Sequence, residues 1–397
     1  TGKLLPPAST KESELKNFML AHPISERILS VVLEIRGLTK LIGTYMPVGA
    51  KSKLFKGRWL YAIDPSATDT GRAASKGHHF WTGESIQTIP REGDDATSVK
   101  QSLVADPGYV LAEIDKSQAE ARGVAYCSGD ENLIKAVDSG KDFHSLNASA
   151  FFGVPYESIY RDPTPEFWDS ETGKLVAASA AKTLDKPLRD LSKRVNHGAN
   201  YNMGPAVLLD TMGAKAVRDA QKLLKLPAPW SLIQVTTYLL AVYEKTYPKV
   251  KTVYYRKIIS DIIKTRLLVG PTGWTRYCFG DPTKNKLALN SYVAHVTQSL
   301  NAMDLDEGYL KIFNWWINTP SVWDKIQILA MIHDSVLHQV KIGHEHLSSK
   351  VQELLHNPIK VTDSVGRTRI LDVPTELEFY GKRWGGNSEH ERHRFCD

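Results

Sequence analysis

Cysteine is scarce in this chain: three residues in 397, Cys127, Cys278 and Cys396, far apart and without metal-ligand spacing. That scarcity excludes a disulfide framework and a zinc site, and it fits a reducing compartment. Long apolar runs are missing too. No stretch approaches the roughly 18 to 20 uninterrupted apolar residues of a membrane span, and the polar start Thr1, Gly2, Lys3 is no signal peptide. A soluble protein is expected. There is no internal repeat and no low-complexity tract, which removes solenoids and biased tails. Nor is the charge lopsided: 50 Lys plus Arg against 44 Asp plus Glu leave +6, which permits a polyanionic partner without requiring one. What is present is ordinary globular composition, 42% hydrophobic and 24% charged, in a length that accommodates two or three domains. The first residue is not Met, which fits a trimmed chain, the ordered part of a longer one, or one product of a divided gene.

Residues 10 to 45 show helical periodicity in Leu15, Phe18, Met19, Ile28, Leu29, Val32 and Leu33, broken at His22-Pro23. Two helices, mostly core, are expected there. Short extended pieces follow to Pro90, and Tyr109 to Ile114 is an apolar run of strand length ending at Asp115. Residues 117 to 150 are helical again. Residues 161 to 185 read as an irregular insertion before a helix that begins near Pro187. Helices dominate to about Thr265, a hairpin spans Leu267 to Phe279, and a helix runs from about Leu287 to Phe313. Last come two β-rich runs, Ile326 to Ile332 and Val336 to Val340, joined by His333, Asp334 and Ser335.

Asp115 and Asp334 each end an apolar strand-like run. Singly, either could be a turn residue or a helix cap. Together, on adjacent strands, they suggest a divalent-metal site of the phosphoryl-transfer kind. The second constellation is Arg189, Lys193, His197 and Tyr201, four residues apart along the expected helix. Each such step advances about 6 Å and turns about 40°, so the side chains form one stripe roughly 18 Å long. The stripe could follow an extended triphosphate, or be a solvated basic face with one aromatic in the core. Arg194 lies off it, and Leu191 and Val195 are expected to face inward.

These residues fall within a larger resemblance. The run Asp115-Lys116-Ser117-Gln118-Ala119-Glu120-Ala121-Arg122, with Ser128-Gly129-Asp130 and Lys141-Asp142-Phe143-His144 after it, resembles motif A of the family A DNA polymerases and the start of their fingers. Arg189, Lys193 and Tyr201 are similar to motif B, and His333-Asp334 to motif C. Upstream, Arg36-Gly37-Leu38-Thr39-Lys40-Leu41 resembles the end of the thumb, and Thr70-Gly71-Arg72 with Gln87-Thr88-Ile89-Pro90 a template-primer-binding stretch. The resemblance runs from about residue 14 to the end.

It implies an α+β right-hand fold: thumb over 1–60, palm over 61–125 and 266–397 with an antiparallel sheet, and largely helical fingers over 126–265 with the nucleotide-binding helix at about 187–203. It implies template-directed DNA synthesis from dNTPs on a primer-template, with two Mg²⁺ ions, for which Mn²⁺ can substitute, held by Asp115, Asp334 and the Lys116 carbonyl. Glu120 takes the steric-gate position beside the sugar. His144, Arg189, Lys193, His197 and Tyr201 would contact the dNTP, with Lys193 also catalytic. Arg72, Gln87, Asn290, Gln298 and His333 would contact DNA. A cytoplasmic setting, in a bacterium or a phage-infected host, is expected. Proofreading is expected to be missing from this chain, and an N-terminal exonuclease region or processivity factor would lie outside it. Three departures stand out: Ser335 where the family usually has glutamate, His197 where it has Phe or Tyr, and Lys116 and Asn202 in place of Tyr and Gly. They point to a divergent, viral or plasmid-borne lineage. Two competing readings are a single-subunit RNA polymerase, against which Glu120 speaks, and a degenerate DNA-binding subunit, against which both aspartates and Lys193 speak.

Overall fold

Along Tyr109–Lys116, Val110, Ala112 and Ile114 alternate with Leu111, Glu113 and Asp115, so the strand presents an apolar side and a side that changes from apolar to acidic. This strand is inside a four-stranded antiparallel sheet. Ser335–Lys341 pairs with it on one side, with Ser335 opposite Asp115 and Val340 opposite Val110. Thr375–Gly381 pairs on the other, with Glu376 opposite Asp115. Ile326–Ile332 completes the sheet as the hairpin partner of Ser335–Lys341. The computed structural model describes residues 10–45, 54–77, 85–89, 99–163, 167–169, 174–176, 180–281 and 283–385; Pro90 and Cys396 lie outside them.

The mostly apolar face, with Ile114, Val336, Val340 and Ile326 and with His338 and Lys116 as its polar members, packs on the helices Lys286–Ile317 and His346–Leu355 through Leu305, Ile312, Val351 and Leu355. Each such side chain removed from water stabilises by about 1.5–3 kcal/mol. Gly308 is where the two helices meet: a Cβ there would stand 2.9 Å from a Leu355 methyl and 3.1 Å from the Leu355 carbonyl oxygen. The opposite face carries Leu111, Leu337 and Ile332 against Ile86, Ile89 and Trp384, then opens at its Asp115 end.

Between the sheet strands in sequence lies a mostly helical body. Its core joins Val124 and Ala125 of Ala119–Ser128 to Leu191 and Val195 of Lys186–Asn200 and to Leu239, Tyr243 and Ile262 of later helices. Gly129 closes the first of these helices at φ +65°, and a Cβ there would stand 2.4 Å from Asp363 Oδ2, so no side chain fits. The insertion expected to be irregular contains two small antiparallel pairs, Tyr160–Arg161 with Lys182–Thr183 and Phe167–Asp169 with Lys174–Val176. The helix after it starts at Lys186, capped by the Asp185 carboxylate on the Leu188 amide at 3.0 Å.

The helices Glu12–Ala21 and Glu26–Tyr45 break at His22-Pro23 as expected, but they are not mostly core. Ile24, Ile28, Val31, Ile35, Leu38 and Ile42 are exposed, Ile24 at 83%. Helical periodicity reports an apolar stripe; it does not report whether anything packs on it. No helix among the described residues is long and apolar enough to cross a membrane.

Candidate active site

The two aspartates meet through strand register. Ser335 pairs with Asp115, and the Lys116 amide donates to the Asp334 carbonyl at 3.1 Å, so the His333-Asp334 turn lies beside the end of the Asp115 strand. His333 begins this two-residue turn at φ +55°, the left-handed conformation that a tight hairpin requires and glycine adopts most easily. Three of the six non-glycine residues with positive φ among the described residues are at the ends of site elements: Gln118, Asn202 and His333. Asn202 follows the Lys186–Asn200 helix where the resemblance expects glycine, and asparagine tolerates that conformation better than most side chains.

A cavity of about 1050 Å³ opens over this sheet end. Its floor is Asp115, Lys116, His333 and Asp334; Arg72 and Glu120 form one wall, and His144, Arg189, Lys193 and His197 face them from the helices Phe143–Phe152 and Lys186–Asn200. Helical phase explains the last group. On Lys186–Asn200, Leu188, Leu191, Ser192, Val195 and Asn196 are buried, which turns Lys193, Arg194 and His197 outward. Arg194 also lines the cavity, although the sequence placed it off the stripe. The stripe stops one residue early, since the helix ends at Asn200 and Tyr201 is its cap.

Most of the charged groups already have partners. Arg189 makes a two-point bridge to Asp142, at 2.9 and 2.8 Å, and Asp142 also caps the helix Phe143–Phe152 through the Ser145 amide. Burial works against ionising the Asp142 carboxyl, but Arg189 and Ser145 outweigh it and hold the carboxyl below its usual range. His144, half-buried beside Arg189 and Lys193, is pushed down to about 4 by loss of solvent first and those cations second. It is therefore a neutral hydrogen-bonding group at pH 7, not a phosphate-neutralising cation.

Glu120 is the hub of a second network. Its carboxylate takes a 2.6 Å hydrogen bond from Arg72 and stands 3.9 Å from His197 Nδ1. Burial raises its pKa, but hydrogen bonds from Tyr201 and Arg72 hold it below the ordinary glutamate value. The Tyr201 hydroxyl is pushed well up by burial and by Glu120, and it accepts from Gln298 at 3.3 Å. Arg72 also approaches Asp334 at 3.9 Å.

The residues expected at DNA fall into two groups. Arg72 and His333 line the cavity. Gln87, Asn290 and Gln298 do not: Gln87 is held between the Ser75 amide at 2.9 Å and the Met331 carbonyl at 3.3 Å, Asn290 accepts from Asn202 at 3.2 Å, and Gln298 belongs to the Tyr201 network. The side chain of Lys116 points away from the cavity floor into a buried ion pair, 2.7 Å from Asp304, with both side chains 1% exposed. Burial pulls the Lys116 ammonium down and the Asp304 carboxyl up, each against the attraction of the other. Sequence reasoning missed Asp142 and Glu113. For Glu113 a signal existed, because a carboxylate two residues before Asp115 in a strand shares its face.

Among the described residues no group of three or more His, Cys, Asp or Glu could hold a metal ion. Two carboxylates without a full protein cage suit Mg²⁺, which usually takes one or two carboxylates and completes its shell with water and substrate phosphates.

Comparison with known proteins agrees with this geometry. Residues 3–163 match the model of DNA polymerase family A. The thermostable DNA polymerase I of Thermus thermophilus is 38% identical over 152 residues, 38% of this chain and 17% of that protein. DNA polymerase I of Helicobacter pylori is 25% identical over 384 residues, 95% of this chain and 35% of that one. The chain thus spans about a third or less of the length of these relatives. The fold matches that of the POL domain of Pol1 from M. smegmatis, solved with DNA primer-template and dNTP, with a TM-score of 0.69 at 20% identity over 95% of this chain and 56% of that one.

Proposed function

We propose that this chain, which matches the model of DNA polymerase family A over residues 3–163, is a member of that family and a DNA-directed DNA polymerase core, extending a primer 3′-hydroxyl from dNTPs on a template strand. The observation that carries this reading is the meeting of Asp115 and Asp334 at the floor of a cavity whose opposite wall is the Lys193 and His197 face of one helix. On this reading the sheet is the palm, residues 126–265 the fingers, and the helices before residue 60 the end of the thumb.

Asp115 and Asp334 would hold two divalent cations, Mg²⁺ or in its place Mn²⁺, with the Lys116 carbonyl as a further oxygen. When bound, the cations lower the pKa of the primer hydroxyl and neutralise charge on the leaving pyrophosphate. The chain's own residues do the rest. Lys193 and Arg189 bring positive charge to the triphosphate, where it is worth most as negative charge moves toward pyrophosphate. Glu120, fixed by Arg72 and Tyr201, fills the space beside the sugar C2′, so that a ribonucleotide hydroxyl clashes or is buried unpaired. His197 lies near the sugar and Tyr201 at the base of the helix. Duplex contacts would be mostly to phosphates, so affinity falls with salt and ignores sequence.

Asp115→Asn and Asp334→Asn test the assignment. Removing a metal-holding carboxylate costs several kcal/mol of transition-state stabilisation, roughly a thousandfold in single-turnover rate. Primer-template affinity should stay within a few-fold. Either variant turning over in Mg²⁺ near the natural rate would refute the assignment.

A further inference from the structure

We propose that Glu113 is a positioning residue of the nucleotidyl-transfer site, supplying from the Asp115 strand the carboxylate that the 333–335 turn lacks and locking that turn to the strand. The inference rests on the polymerase reading above. Glu113 lies two residues before Asp115, on the same face of the sheet and about 6.6 Å along it, and its side chain lines the same cavity. It is not an incidental acid there. Glu113 Oε1 is 2.5 Å from the Ser335 hydroxyl, while Oε2 accepts from the Tyr380 hydroxyl at 3.0 Å and from the Trp384 indole N–H at 2.9 Å. Trp384 is 2% exposed, so one of these donors is built into the core. Three donors converging on one half-buried carboxylate fix its rotamer.

The Ser335 hydroxyl also lies 3.0 Å from the Ile332 carbonyl, but it has a single proton, and the charged, nearer acceptor claims it. The turn is then tied to the Asp115 strand twice: by the Lys116 amide on the Asp334 carbonyl, and by Ser335 on Glu113. The two bonds hold the backbones that carry Asp115 and Asp334 together, and Glu113 adds a third carboxylate to the lining of the same cavity. At the turn itself this chain has Ser335 where the family it resembles usually has glutamate. The acid has been exchanged for a hydroxyl at one position and supplied across the strand pair at another.

An exchange of this kind can be reversed. Single-turnover primer extension is measured for the natural chain, Glu113→Gln, Glu113→Ala and the double variant Glu113→Ala with Ser335→Glu, titrating dNTP and Mg²⁺ separately. Mn²⁺ binding is followed by electron paramagnetic resonance in complexes with a dideoxy-terminated primer, which cannot turn over. Glu113→Gln keeps the shape and loses the charge. It should lower the maximal rate about tenfold or more and raise the Mg²⁺ requirement and weaken Mn²⁺ binding, with the dNTP requirement and primer-template affinity nearly unchanged. The double variant should regain most of both losses. A Glu113→Gln chain with natural rate and Mn²⁺ affinity, or one that changes only its melting temperature or dNTP requirement, overturns the inference. So does a folded double variant no faster than Glu113→Ala; where Glu113→Ala or the double variant does not fold, Glu113→Gln decides alone. Natural-chain activity with an unaffected Glu113→Gln refutes this inference and leaves the polymerase reading standing; a natural chain that extends no primer refutes both.

Discussion

On the proposed reading Glu120 is a filter, and a side chain can serve as one only when others hold it still. A glutamate has three rotatable bonds, and a gate that swings excludes nothing. Here Arg72 donates at 2.6 Å, Tyr201 donates from the far side, and the carboxyl stays ionised because these bonds outweigh the cost of burial. Glu120→Ala should therefore raise the ratio of NTP to dNTP incorporation by orders of magnitude, while dNTP use falls less. Tyr201→Phe removes one support and keeps the carboxylate, so it should relax the gate by a much smaller factor. Ratios of kcat/KM for matched NTP and dNTP pairs check both. Equal discrimination in the natural chain and Glu120→Ala would place the sugar elsewhere in the cavity. At His197, 57% exposed in its side chain and edge-on to Tyr201 at 5.0 Å between ring centroids, an imidazole nitrogen can hydrogen-bond near the sugar where a phenyl ring cannot. His197→Phe should lower the use of dideoxynucleotides relative to dNTPs, and an unchanged ratio would make His197 a packing residue.

At the scale of elements, the Lys186–Asn200 helix is held by what its inward face and its flank touch. Val195 is completely buried, Ser192 bonds the His144 carbonyl, and Arg189 is clamped by Asp142, whose side chain is 12% exposed. Asp142 therefore joins two helices, as cap of one and anchor of the other. Asp142→Ala should lose about 1 kcal/mol for the cap and more for leaving Arg189 half-buried without its carboxylate. A total of about 2–4 kcal/mol is expected in urea denaturation, against less for Arg189→Ala, which leaves the cap in place. Loss confined to activity, with unchanged stability, would mean that the bridge does not bear on folding. The helix itself was legible: Pro187 at its start and Leu191 and Val195 on its buried face predict its position and its outward side. Asp142 was not, because a capping residue gives no hint of a partner 47 residues away. The same limit explains Lys116. A lysine in an otherwise apolar strand end looks solvent-directed until the fold brings Asp304 from a helix nearly 190 residues later. Local pattern carries element type and facing; it carries no information on which distant charge will be met.

For the whole molecule, two apolar runs ending in aspartate suggested the meeting of Asp115 with Asp334 and the family resemblance implied the antiparallel sheet, whereas the polar groups that the fold takes out of water could not be read from sequence. Those groups govern how the protein responds to acid. His144, His295 and His338 are each held down to about 4, chiefly by burial, against about 6.5 in an unfolded chain. Below about pH 6.5 the unfolded state takes up protons that the folded state refuses, so stability present above that pH is lost progressively as pH falls toward 4. For His338, fully buried with its Nε2 on Ser348 at 2.8 Å, the loss approaches about 3 kcal/mol at the end of that window. His144, less deeply placed, contributes less. Total stabilities of about 5–15 kcal/mol make three such groups decisive, and below the window the depressed carboxyls of Glu120 and Asp142 remove more as they protonate. The urea midpoint should therefore fall steadily from pH 6.5 to 4.5, steeply enough to report proton uptake by more than one group. His338→Gln, which cannot titrate, should flatten that dependence by up to about 1.4 kcal/mol per pH unit even where it lowers stability at pH 8. A midpoint independent of pH between 6.5 and 4.5 would mean that these imidazoles protonate within the fold, and that the interior around them admits water.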